Sequence, residues 1–127
     1  MREIKFRGKD VESGARVYGD LIINNAENYF IHIRDKKGQQ VRMVYSDTVG
    51  QFTGLHDKKG KEIYEGDIVV IEDIIKGYVR SNARYWRYEV AAADEPLENE
   101  RIPSGRPEEC WMVIGNIHDN PELLKTK

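Results

Sequence analysis

Asp57-Lys58-Lys59-Gly60 separates two runs of strand-forming residues so closely that the chain must turn back on itself there. An aspartate opening such a turn can accept a backbone N–H two residues on. A glycine in fourth position supplies the positive φ that lets a type I turn join two twisted strands. Around this turn, residues 47–70 read as a strand to Phe52, a break at Gly54, the hairpin, and a new strand from Asp67. The same tetrapeptide recurs at Asp35-Lys36-Lys37-Gly38. A chain punctuated in this way builds short antiparallel strands joined locally.

The rest of the sequence obeys that rhythm. Residues 3–7 alternate polar and apolar, as a half-buried strand does. Residues 8–14 form a polar turn, and residues 15–23 a second strand, ended by Asn24 and Asn25, which favour turns. In the third strand Ile31 and Ile33 share a face and His32 takes the other; residues 41–45 return. Strands follow at 68–71, from Tyr78, at 84–90 and at 111–117. Asn120-Pro121 starts a short C-terminal helix, with asparagine as N-cap and proline in the first position. Gly19-Asp20-Leu21-Ile22-Ile23 before Tyr29 echoes Gly66-Asp67-Ile68-Val69-Val70 before Tyr78. The expectation is a mainly β, α+β protein of two consecutive β subdomains, about 1–62 and 63–127. The G-D-I-V…G-Y-V run makes the second similar to a small SH3-like barrel.

Length and composition set the outer limits. A chain of 127 residues is one domain by size, with a modest core. At 39% hydrophobic and 33% charged residues it is globular rather than disordered. No apolar run approaches the roughly 20 residues of a membrane helix, and residues 1–10 lack the apolar core of a secretory signal, so a cytoplasmic location without membrane contact is expected. Cys110 is the only cysteine, which rules out an internal disulfide and a cysteine-cluster zinc site. Residues 1–62 carry 12 basic and 9 acidic residues (+3), and residues 63–127 carry 8 and 13 (−5). Neither half has the strongly basic balance of a general nucleic-acid binder. Residues 94–109 hold three of the four prolines and six acidic residues, which marks a flexible loop.

The block D-T-V-G-Q-F-T-G-L-x-D-K-x-G-K-E-I-Y-E-G-D-I-V, with the opening M-R-E-I-K-F-R-G-K-D and the closing V-I-G-N-I-H-D-N-P-E-L-L, resembles the YopX family of phage and prophage proteins over nearly the whole chain. The resemblance implies a phage-encoded accessory protein working inside a bacterial cell. It carries no catalytic or binding residues with it.

Chemistry must therefore be sought in the residues themselves. Arg80, Arg84, Tyr85 and Arg87, with Tyr78, Trp86 and Tyr88, mix arginines that neutralise phosphates with rings that stack on bases. Alternation assigns part of that aromatic set to a core, with the arginines as ordinary solvated strand positions. His32, His56 and His118 lack ligand spacing; Asp47, Asp57, Glu62, Glu65 and Asp67 could be imagined as a magnesium or general-acid cluster, but Asp57 is already explained by its turn and Asp67 by entry to a strand. No phosphate loop, nucleophile elbow or HExxH motif is present. The reading is non-enzymatic, without cofactor or metal: an adaptor with a protein partner, or alternatively a nucleic-acid-binding module using strand 80–88. The runs Ile68-Val69-Val70-Ile71 and Trp111-Met112-Val113-Ile114 are apolar at consecutive positions and want cover on both faces. A homo-oligomer joined through strand edges, with Trp111 and Val113 in the contact, would supply it; the alternative is that the two subdomains cover each other.

Overall fold

Ten strands, one helical turn and two 3-10 turns succeed one another in the computed structural model, which describes residues 3–35, 38–72, 75–82, 87–92 and 107–124. The strands are β1 (Phe6–Lys9), β2 (Arg16–Ile23), β3 (Tyr29–Asp35), β4 (Gly38–Val44), β5 (Gly50–His56), β6 (Glu62–Tyr64), β7 (Asp67–Ile71), β8 (Ile75–Asn82), β9 (Arg87–Ala92) and β10 (Trp111–Asn116). All observed pairings are antiparallel. The chain divides into two compact units, Met1–Phe52 and Thr53–Lys127, with the boundary inside β5 and ahead of the 57–60 hairpin.

In the first unit the strand order is β4-β3-β2-β1-β5. β2 serves two neighbours in succession: Arg16 to Gly19 pair with β1, and Asp20 to Ile23 pair with β3. Gly19 sits at the changeover, where a Cβ would lie 2.1 Å from the carbonyl oxygen of His32, so no other residue fits. Asn24 ends β2 as its composition predicts, its Oδ1 accepting the N–H groups of Ala26 and Asn28. The first strand is displaced from its expected position: it runs to Lys9 because Gly8 lets the Val44 side chain approach to 3.0 Å of where a Cβ would stand. Val11 N–H then bonds Met43 C=O and Tyr45 N–H bonds Lys9 C=O, tying the end of β1 to the end of β4. Asp10 anchors the turn that follows. Its carboxylate accepts from Arg42 Nε at 2.8 Å, Ser13 Oγ at 3.0 Å and Glu12 N–H at 3.0 Å. The Arg42 hydrogen bond, outweighing burial, holds that carboxyl below the usual aspartate range. Among the described residues, Ile31, Val44 and Phe52 are the buried hydrophobic residues of the unit.

In the second unit the four-stranded sheet has the order β10-β7-β8-β9. Ile63, Val69, Ile71, Val79, Val90 and Trp111 make its core, with Leu55, Cys110 and Val113 packed against them. β5 passes Gly54 without a break, since Gly54 takes φ 86° within the strand. Thr53 Oγ1 bonds the Ile63 carbonyl at 2.8 Å and so locks β5 to β6.

One expectation is corrected here and two others are placed. The sheet of the second unit is open: β9 and β10 are its two edges and do not pair among the described residues, so the SH3-like barrel does not close. The short C-terminal helix starts where Asn120-Pro121 places it and is of the 3-10 type over Pro121–Leu124, with Asn120 Oδ1 accepting the Asn116 N–H. Trp111, proposed as an oligomer contact, is 2% exposed within the single chain, and Val113 is half-buried against the same core. The apolar run of β7 is likewise covered, with Ile68, Val69 and Ile71 all buried. Most of the Pro-rich 94–109 segment lies outside the described residues; its last part begins the one-turn helix Pro107–Cys110, with Pro107 buried.

Candidate functional site

The block that looked most like a motif turns out to be scaffold. Asp57 is 2% exposed and accepts three backbone N–H groups: Lys59 and Lys61 on Oδ1 and Val113 on Oδ2, each at 2.9 Å. Burial opposes its ionisation, and the three N–H groups with the nearby Lys61 charge outweigh that, leaving its pKa below the usual value. Lys58 N–H also bonds the Trp111 carbonyl. The turn therefore lies along the outer edge of β10. Asp67 is 1% exposed and accepts the Tyr64 N–H at 2.8 Å. Asn116 Oδ1 accepts the N–H groups of His118 and Asp119. These carboxylates and amides hold backbone. No group of three or more His, Cys, Asp or Glu side chains that could hold a metal ion occurs among the described residues.

The basic aromatic set is only partly placed. Arg80 is half-buried on β8, on the face away from Val79, together with Lys76 and Tyr78. Its register partner on β9 is Glu89, so the stripe meets an acidic position across the strand. Arg87 opens β9 opposite Asn82. Arg84 and Tyr85 lie outside the described residues.

A different surface stands out in the first unit. β2, β3 and β4 present one face away from Ile31. The registers Ile22↔Phe30↔Met43 and Asp20↔His32↔Val41 place these residues side by side there. Tyr18 and Ile22 are each 42% exposed, Met43 42% and Val41 56%. Polar groups punctuate the row: His32 Nδ1 lies 3.9 Å from Asp20 Oδ2, and its Nε2 lies 3.3 Å from Gln39 Oε1. Alongside opens a cavity of about 350 Å³ lined by Glu3, Ile4, Lys5, Tyr18, Gly19, Asp20 and His32. It exists because residues 3–5 leave β2: Lys5 C=O accepts the Phe52 N–H, and Lys5 Nζ sits 5.3 Å from the Phe52 ring centroid. Composition and alternation did not single out this face. Both parities of β2 and β4 carry apolar residues, and only the cross-strand register brings the exposed ones together.

A family model described as YopX protein matches residues 5–125. The chain belongs to the YopX family. Among solved structures, the crystal structure of protein EF1440 from Enterococcus faecalis is similar to this YopX chain, with a TM-score of 0.58 and 22% identity, covering 98% of this chain and 100% of that one. At that identity the likeness shows the fold. No curated protein matches. No helix among the described residues of this YopX protein is long and apolar enough to cross a membrane.

Proposed function

We propose that this YopX protein is a non-enzymatic, phage- or prophage-encoded adaptor that works in the cytoplasm of a bacterial cell by docking a protein partner on the outward face of β2, β3 and β4. The observation that carries the reading is the contiguous row Tyr18, Ile22, Val41 and Met43, apolar and solvent-facing on a strand face otherwise free to be polar. Asp20, His32 and Gln39 would fix orientation, and the adjoining cavity could receive one side chain of the partner. The test is capture of partners from lysogenic or infected cells with nuclease present, using wild type and Ile22→Lys. A nuclease-resistant partner lost on Ile22→Lys supports the reading, and equal capture by both removes it.

A second reading keeps nucleic acid as the partner of strand 80–88. Its support is the shared outward face of Lys76, Tyr78 and Arg80. Arg84→Ala with Arg87→Ala should then weaken binding and flatten its salt dependence. Wild type failing to be retained on DNA or RNA at about 50 mM salt would end this reading.

A further inference from the structure

The two sheets defend their edges unequally. In the second unit the 57–60 turn lies on β10, through Lys58 N–H to Trp111 C=O and Val113 N–H to Asp57 Oδ2. In the first unit β4 is the edge strand, and among the described residues its cover is the tie between residues 9–11 and residues 43–45. Alternation fixes which of its groups are open. Met43 C=O accepts Val11 N–H on the side away from β3, so Val41 and Gln39, two and four positions earlier, turn their N–H and C=O the same way. No strand pairs with that side of residues 39–41 among the described residues. Exposed edges are ordinarily blunted by lysine, proline or an inward-pointing charge. Residues 39–41 are Gln-Gln-Val, and the charge of Arg42 is already held by Asp10 and Glu12.

The geometry points to a second copy of this chain as the occupant, its β4 pairing antiparallel with this one about a two-fold axis at Gln40. What is open selects the register. With the axis at Gln40, Gln39 meets Val41 and Val41 meets Gln39, giving about four backbone hydrogen bonds. Moving the axis to Val41 would set Gln39 against Met43, whose carbonyl is used and whose flank is filled by residues 9–11. In the selected register Arg42 faces Gly38, so no like charges meet across the strands. Being uncharged, the Gln-Gln-Val edge sets no like charges against its own copy, as a charged edge pairing with itself would. The exposed Val41 side chain then continues the apolar row into the second copy. This goes beyond the adaptor reading and does not depend on it.

Light scattering of the full chain should show a mass near 14.7 kDa at low micromolar concentration, rising toward twice that value as concentration increases. Amide exchange at Gln39 and Val41 should slow over the same range. Val41→Lys sets lysines beside the axis and should weaken association by at least about tenfold, since like charges in a small contact are costly. Because Val41 is exposed, the melting temperature should be unchanged. Ile22→Lys, on the outward face, should leave the dimer intact, which separates this contact from partner docking. A constant monomer mass up to about 1 mM, where even weak pairing registers, would overturn the proposal. So would a dimer indifferent to Val41→Lys, or unchanged exchange at Gln39 and Val41.

Discussion

Replacing Asp57 with alanine strands three backbone N–H groups: those of Lys59, Lys61 and Val113, each now 2.9 Å from a carboxylate oxygen. A buried donor without a partner costs about 1–3 kcal/mol, and less where water can reach it. Lys59 and Lys61 sit on an exposed turn and can rehydrate; Val113 is half-buried. The expected total is about 3–5 kcal/mol, or roughly 10–20 °C in melting temperature for a chain of this size. Asp57→Asn refines the argument. Its carbonyl can still serve Lys59 and Lys61, but its NH₂ then points at the Val113 N–H, so about half the loss should remain. Urea unfolding of the three proteins measures this. The dependence on pH has a definite sign. The folded pKa of Asp57 is depressed, so its stabilising effect is complete above the unfolded-state value of about 3.9 and is lost as pH falls through the lower folded value. The gap between wild type and Asp57→Asn should therefore narrow below about pH 4. A cost under about 1 kcal/mol for Asp57→Ala would show that the turn does not hold β10.

Gly19→Ala should destabilise by more than about 3 kcal/mol in thermal unfolding, since the clash is with backbone and cannot be relieved by a rotamer. Trp111→Phe should cost clearly less than the roughly 3–5 kcal/mol of Trp111→Ala, because the indole N–H is buried without an acceptor among the described residues and its removal offsets lost packing. Replacing residues 94–106 by a Gly-Ser linker should leave the melting temperature within about 5 °C, given their acidic, Pro-rich composition. Extending the replacement through residue 110 should lower it further, because Pro107 is buried and Cys110 packs on the core.

What sequence alone could read was local. The hairpin at 57–60 forms as its residues dictate, with Gly60 N–H on Asp57 C=O, and β3 and β4 close at Asp35↔Gly38. Asn24 ends β2 through its own side chain. The failures are all at long range. Nothing near Asp57 announces a bond to Val113, 56 positions away. The consecutive apolar residues of β7 and β10 state that cover is needed but not whether it comes from the same chain; here Trp111 supplies part of it. The exposed face of β2, β3 and β4 was hidden for the same reason. Val41 and Met43 alternate with Gln40 and Arg42, a pattern equally consistent with a buried row, and Arg42 is the residue turned toward Asp10.

The order β10-β7-β8-β9 also imposes a schedule on synthesis. β7 and its hairpin partner β8 leave the ribosome early, but the strand on the other side of β7 comes last. Until residues 111–116 emerge, β7 offers a bare edge of consecutive apolar residues, the core lacks its tryptophan, and the Asp57 carboxylate has no Val113 N–H to hold. Chains stalled or truncated before Trp111 would carry the features that invite aggregation and degradation. Closure of this sheet is thus registered by β10, and quality control can tell a finished sheet from an unfinished one by whether that edge of β7 is filled.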